Sequence, residues 1–146
     1  MQQLKREMLK TGNEHTVATV SMWLAMEYSE SSLLYSIYEI KYALPHLPIR
    51  SPSKLLQTEL DRVTAYVWLM DSYIELNIPS RALEYGKALK TKLGTIEAWN
   101  YAYPITAANL VGKHDLALSF IEDAKKVNSK KDPIKQLVIY VLELTT

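Results

Sequence analysis

Two stretches decide the fold of this chain: YVWLMDSYIELNIPSRALEY at residues 66–85 and YAYPITAANLVGKHDLALSF at residues 101–120. Residues of like character recur between these segments and just beyond them at an offset of 35 positions. The pairs are Tyr66 with Tyr101, Trp68 with Tyr103, Asn77 with Gly112, Ala82 with Ala117, Leu83 with Leu118, Tyr85 with Phe120 and Lys90 with Lys125. A repeat of this length made of two helices cannot bury its apolar face alone, so we expect neighbouring repeats to stack.

The paired positions have distinct structural roles. Asn77 and Gly112 fall where one helix is expected to end, and both residue types tolerate the left-handed conformation that such an end requires. Ala82 and Ala117 fall in the following helix, where a small side chain lets two helices approach closely. The pattern therefore predicts two helical hairpins of the same design.

These two segments resemble the tetratricopeptide repeat, which has aromatic and leucine positions in its first helix, a glycine at the turn, and alanine followed by leucine in its second helix. The resemblance covers about residues 62–128. It implies an all-α fold in which antiparallel helical hairpins stack as a right-handed solenoid.

Glycine and proline are scarce and fall between long stretches rich in Leu, Ala, Glu, Lys, Met and Tyr, a composition typical of helices. We predict helices at residues 2–10, 14–28, 31–44, 52–76, 79–92, 96–111, 115–127 and 133–144. Pro104 is expected to bend the sixth of these, because proline cannot donate to the carbonyl of Asn100.

The length of 146 residues favours one domain. We expect a divergent first helical pair at residues 1–45, a proline-rich linker at 46–52, two repeats at 53–128, and a C-terminal capping or interface helix at 132–146.

Patterns typical of catalysis or metal binding are missing from the sequence. His15, His46 and His114 lie far apart, whereas two histidines that share a metal on one helix face are three or four residues apart. The chain has no cysteine, glycine-rich phosphate loop or nucleophile elbow. Asp71 and Glu75 are one helical turn apart, and a solvated or groove-lining role is favoured for them. We therefore predict a protein that is not an enzyme and uses no metal or cofactor.

The charges balance almost completely, with 17 basic and 16 acidic residues, so no overall field attracts nucleic acid or anionic lipid. No segment approaches the roughly 20 apolar residues of a membrane span, and the N-terminal residues do not resemble a secretion signal. We expect a cytoplasmic protein, with the nucleus as the other compartment consistent with the sequence.

Two groups of lysines lie near the C-termini of predicted helices. They either stabilise those helix ends or form a basic strip for an acidic partner: Lys87, Lys90, Lys92, Lys125, Lys126, Lys130 and Lys131.

In the tetratricopeptide family the first helix of each repeat lines a concave groove that holds a peptide. The resemblance places eight candidate partner-binding residues in such a groove: Val67, Asp71, Ile74, Glu75, Trp99, Thr106, Asn109 and Leu110. Their mixture of apolar, acidic and amide groups suits a peptide or helix segment of another protein better than a metabolite.

Two further apolar stripes are candidates for interfaces. Tyr35, Tyr38 and Tyr42 recur along one helix and belong either to the core or to a contact surface. The last helix is apolar on most sides, so Leu137, Tyr140, Val141 and Leu144 are expected to pack against another copy or a continuing solenoid.

The sequence thus favours a non-enzymatic interaction scaffold or adaptor that binds a peptide or helix of a partner protein, with self-association through its last helix. An alternative is the peptide-sensing domain of a bacterial transcriptional regulator, in which the groove would hold a signalling peptide. An enzyme with a site of scattered residues is a third class, and a deep pocket with converging polar groups would favour it.

Overall fold

The computed structural model describes residues 1–49, 60–92, 97–128 and 132–146, apart from the side chains of residues 99, 134 and 135. These residues form helices and turns, with no strand among them. The α-helices are α1 Gln2–Thr11, α2 Glu14–Tyr28, α3 Leu33–Ala43, α4 Arg62–Glu75, α5 Pro79–Lys92, α6 Ala102–Leu110, α7 His114–Val127 and α8 Pro133–Leu144. Short 3-10 segments lie at Leu44–His46 and Ala98–Tyr101. The predicted all-helical class is confirmed.

The chain divides into two compact units, Met1–Ser72 and Tyr73–Thr146, and the division falls within α4. In the first unit α2 packs against both α1 and α3. In the second unit α5, α6 and α7 pack in succession, and α8 packs against α6, α7 and the 3-10 segment before α6.

The proline-containing segment after α3 is tied to the start of α4. The backbone N–H of Arg62 donates to the carbonyl of Pro48 at 2.8 Å, and its guanidinium donates to the carbonyls of Leu47 at 2.9 Å and Pro45 at 3.1 Å. The Leu47 side chain is buried. Leu47 and Pro48 of the predicted linker are therefore held against the start of α4, whereas the Ile49 side chain is 52% exposed. Residues 50–52 lie outside the described part of the chain.

Helix α4 begins later than the sequence predicted. Asp61 precedes it, and the Asp61 carboxylate accepts a hydrogen bond from the backbone N–H of Thr64 at 2.8 Å. This bond satisfies one of the unpaired N–H groups of the first turn, so Asp61 caps the helix. The prediction that the helix runs from residue 52 was wrong at residues 60 and 61, which are not helical. Residues 52–59 lie outside the described ranges.

The turn after α4 has the hydrogen bonds of a Schellman motif. The backbone N–H of Asn77 donates to the carbonyl of Ile74 at 2.9 Å, and that of Ile78 donates to the carbonyl of Tyr73 at 2.8 Å. Asn77 has a φ of 57°, which places it in the left-handed region. Asparagine is one of the few residues that adopt this conformation at small cost.

The turn after α6 repeats this arrangement 35 residues later. Gly112 donates to the carbonyl of Asn109 at 3.0 Å, Lys113 donates to that of Ala108 at 2.8 Å, and Gly112 has a φ of 72°. Each donor and acceptor residue of this turn lies 35 positions after its counterpart in the Asn77 turn. The prediction that both positions are left-handed is confirmed.

Packing around the two turns is similar but not identical. Ala82 and Ala117 are both fully buried, as expected for positions of close helix approach. Leu83 is buried, whereas its counterpart Leu118 is 46% exposed. The two turns therefore have the same hydrogen bonds, and each is followed by a small buried residue, but the next position differs in exposure.

Pro104 does not bend a long helix as the sequence predicted. It lies in the first turn of α6, after the 3-10 segment that ends at Tyr101, and its side chain is buried. A proline is tolerated there because the N–H groups of a first turn have no partner within the helix.

Candidate functional site

The eight predicted groove residues divide between the two units. Val67 and Asp71 belong to the first unit, where Asp71 is exposed and Val67 is only 6% exposed. In the second unit Glu75 and Leu110 are exposed, and Ile74, Thr106 and Asn109 are half-buried. The side chain of Trp99 lies outside the described residues. A buried valine cannot offer its side chain to a ligand, so Asp71 is the candidate in the first unit.

Asp71 lies at a cleft of about 230 Å³ in the first unit. Helices α2, α3 and α4 line the cleft with Ala25, Met26, Ser29, Ser36, Trp68, Asp71 and Ser72. The Met26 side chain is 55% exposed, and Trp68 is half-buried. The cleft therefore combines a flexible thioether and an indole ring with a carboxylate.

The size and lining of this cleft limit what it can hold. Clefts that enclose a metabolite or drug-sized molecule usually measure about 300–1,000 Å³, so this one suits one or two side chains of a larger ligand. Methionine adapts to differently shaped apolar groups, and the exposed carboxylate of Asp71 provides hydrogen-bond acceptors beside them. Sequence reasoning identified Asp71 as a binding residue. It did not identify Met26, because the repeat pattern said nothing about α2, and it treated Trp68 only as a repeated aromatic position.

Asn109 joins three elements of the second unit. Its side-chain amide donates to the hydroxyl of Thr146 at 3.0 Å, and its Oδ1 lies 3.2 Å from Nδ1 of His114. The Thr146 hydroxyl in turn donates to the carbonyl of Leu142 at 2.7 Å. Asn109 therefore ties the end of α6 to the end of α8 and to the start of α7.

The tyrosine stripe of α3 is largely on the surface. Tyr35 and Tyr38 are 59% and 61% exposed, and Tyr42 is half-buried. The ring of Tyr35 lies 5.5 Å from that of Tyr28, centroid to centroid. Of the two interpretations left open by the sequence, burial in the core does not apply to Tyr35 and Tyr38.

Helix α8 has one buried face and one apolar exposed face. Ile139 is almost completely buried. The four residues of the exposed face are each more than half exposed and follow helical spacing: Leu137, Tyr140, Val141 and Leu144. We call these four residues the α8 stripe. Contiguous exposed apolar surface of this kind marks an interaction site more often than isolated apolar residues do.

Two lysines at equivalent repeat positions each connect their helix to a later helix of the second unit. Nζ of Lys90 in α5 lies 2.6 Å from Oδ2 of Asp123 in α7. Nζ of Lys125 in α7 donates to Glu143 of α8 at 2.8 Å, and the hydrogen bonds to Glu143 and Glu122 raise the pKa of Lys125 above its usual value. The sequence paired these lysines by offset but did not identify their carboxylate partners, which lie outside the local repeat pattern. Lys130 and Lys131 lie outside the described residues.

Residues that could hold a metal are not brought together in the parts of the chain that are described. Nδ1 of His46 lies 3.1 Å from a carboxylate oxygen of Glu14, and His114 contacts Asn109. Within residues 1–49, 60–92, 97–128 and 132–146, no three side chains of the types His, Cys, Asp and Glu converge as they would around a metal ion. None of the helices in these ranges combines the length and apolarity needed to cross a membrane.

The described residues define an all-helical protein with two hairpin turns of the same design, a small mixed cleft and an exposed apolar stripe. No protein-family model matches this chain, and no curated protein or solved structure matches it either. The resemblance to the tetratricopeptide repeat therefore rests on the two repeated segments themselves and on nothing in these comparisons.

Proposed function

We propose that this chain is a protein–protein interaction module that binds a peptide or helix segment of a partner and carries out no chemistry. In this proposal the repeated hairpins belong to a right-handed solenoid of the tetratricopeptide kind. The matched Asn77 and Gly112 turns support the repeat, and the exposed binding surfaces support the function.

The observation that carries the proposal is the cleft around Asp71. It offers Met26 and Trp68 to an apolar side chain. The exposed Asp71 carboxylate already has an interaction within the chain, and because a carboxylate can accept several hydrogen bonds, it can also accept one from a neighbouring cation. A peptide that presents an apolar residue next to a lysine or arginine satisfies both requirements. The cleft is smaller than most metabolite sites, so a side chain of a larger ligand fits it better than a whole metabolite.

A selection from random peptides tests this proposal and requires no known partner. The intact chain would be used to select binders from a phage-displayed library, and the affinities of synthetic versions would be measured by fluorescence anisotropy. We expect the selected peptides to share an apolar residue beside a basic one. Asp71→Asn and Met26→Ala should each weaken binding by about fivefold or more, equivalent to about 1 kcal/mol.

The matched control is Glu27→Gln. Glu27 is also an exposed carboxylate of the first unit, but it does not line the cleft. Its loss should therefore leave the affinity unchanged. Equal effects of Asp71→Asn and Glu27→Gln would reduce the role of Asp71 to general charge attraction and contradict the proposed site.

A second interaction is favoured by the α8 stripe, for which we propose a second copy of this chain as the occupant. The four side chains carry no charge, so two copies of α8 can meet across a twofold axis without like-charge repulsion. A stable dimer usually buries about 800 Å² per partner, and a patch of four side chains offers only a few hundred Å². The expected association is therefore weak and concentration-dependent.

Sedimentation velocity over a series of protein concentrations tests this second proposal. Val141→Ser should shift the association to higher concentration. Leu34→Ser is the control, because Leu34 is also a highly exposed apolar residue but lies on α3 in the first unit. A monomer at every concentration, or the same shift with both variants, would contradict self-association through α8.

A further inference from the structure

Within the first unit, helix α1 contacts α3 through a buried ion pair. Nζ of Lys5 lies 2.5 Å from a carboxylate oxygen of Glu39 in α3, and the two side chains are only 12% and 5% exposed. The same ammonium group lies 4.0 Å from the ring centroid of Tyr42 and 5.9 Å from that of Tyr38. Lys5 therefore ends in a site made of one carboxylate and two aromatic rings, all supplied by α3.

The rest of α1 contributes little to the core. None of its ten residues is buried, and Leu4 and Leu9 are both at least 40% exposed. A helix of this length is only marginally stable alone in water. Lys5 and Met8 are the half-buried residues of α1, and the helix also packs against α2. The Lys5 ammonium group therefore adds a charged contact with α3 to a small apolar contact.

The site on α3 has the chemistry of an ammonium receptor. Aromatic faces attract a cation through their quadrupole, and the attraction increases where water is excluded. Glu39 is 4% exposed, and a carboxylate buried to that extent requires a cationic or hydrogen-bonding partner. An ammonium group from another molecule meets these requirements as well as that of Lys5 does.

We propose that Glu39, Tyr38 and Tyr42 form a receptor site for the primary ammonium group of a lysine side chain, which Lys5 occupies in the absence of a partner. A partner that presents a lysine takes the place of Lys5, and α1 then loses this contact with α3 and is held less firmly. This site lies on α3 and does not include the residues of the Asp71 cleft, so it stands whether or not that cleft binds a peptide.

The first test is chemical rescue of a truncated lysine. Lys5→Ala removes a fragment that n-propylammonium reproduces, and the melting temperature of this variant would be measured with propylammonium chloride and with sodium chloride at equal ionic strength. We expect propylammonium to raise it by about 2–4 °C with saturation, because a ligand that binds only the folded state stabilises it. The rise should be absent from the double variant Lys5→Ala with Glu39→Gln.

Lys10→Ala is the matched control, because Lys10 of the same helix forms an exposed ion pair with Glu7. It should show no specific effect of propylammonium. The same rise in both single variants, or no rise in Lys5→Ala, would overturn the receptor site.

The second test uses the unaltered protein and so does not depend on the folding of Lys5→Ala. Hydrogen exchange measured by mass spectrometry would compare α1 with α2 and α3 as propylammonium is added. We expect exchange in α1 to accelerate several-fold over the sodium chloride control, with α2 and α3 unchanged. Unchanged exchange in α1 would show that Lys5 is a fixed structural contact and would overturn the proposed exchange.

Discussion

Replacing Gly112 with alanine gives a quantitative test of the repeated hairpin. Gly112 has a φ of 72°, and a Cβ atom added there would meet nothing within 4 Å. The substitution therefore changes conformational preference without a steric clash. The left-handed conformation costs a residue with a Cβ about 1–2 kcal/mol, and the reduced entropy of the unfolded chain offsets about 0.4–1 kcal/mol of this. We expect Gly112→Ala to lower the free energy of unfolding by about 1 kcal/mol.

The variant Gly112→Asn tests whether the destabilisation by Gly112→Ala has a conformational cause. Because Asn77 occupies the equivalent position with a φ of 57°, Gly112→Asn should cost less than about half as much as Gly112→Ala. Asn77→Ala should in turn cost about 1 kcal/mol. Urea unfolding followed by circular dichroism measures these differences as shifts of the midpoint at constant slope. Equal losses for Gly112→Ala and Gly112→Asn would refute the reasoning, as would an alanine variant with no loss.

Three other predictions concern the second unit. Ala117→Leu should destabilise by about 1–3 kcal/mol in urea unfolding, because Ala117 is fully buried and a larger side chain overpacks the site; an unchanged midpoint would contradict close helix approach. Asn109→Ala should cost about 1–2 kcal/mol by the same assay through loss of its contacts with Thr146 and His114, and a neutral result would mean that these contacts contribute nothing. Burial, assisted by the charge of Asp123, raises the pKa of Tyr101 above its usual value. As the pH rises, the unfolded chain therefore loses the Tyr101 proton before the folded chain does. The free energy of unfolding should fall as the pH rises above about 10. Tyr101→Phe should reduce that fall, and an identical pH profile would contradict the cause given.

The helices and the two turns could be predicted because their signals are local. Helical spacing of apolar residues, together with scarce glycine and proline, located most elements to within a few residues. Asn77 and Gly112 mark the turns because few residue types adopt the left-handed conformation. The start of α4 was harder to predict, because the pattern predicted one helix over residues 52–76, whereas Asp61 is the residue that caps α4.

The sites depend on residues that meet only in the folded chain. Lys5 and Glu39 are 34 positions apart, and neither has a neighbour in the sequence that indicates an ion pair. The cleft likewise joins Met26 of α2 to Asp71 of α4. The repeat pattern indicated Asp71 alone, because a pattern of this kind describes positions along one helix and not the helices that pack beside it.

The most direct test of the proposed function is to map where a selected peptide binds. Two-dimensional amide NMR spectra of the intact chain would be recorded during titration with a peptide from the library selection, and the Trp68 indole N–H would be followed separately. We expect saturable shifts around Met26, Ser29 and Asp71 and at the Trp68 indole, with Asp71→Asn requiring more peptide for the same shift. Shifts confined to the second unit, with the cleft residues unchanged, would contradict peptide recognition at this cleft.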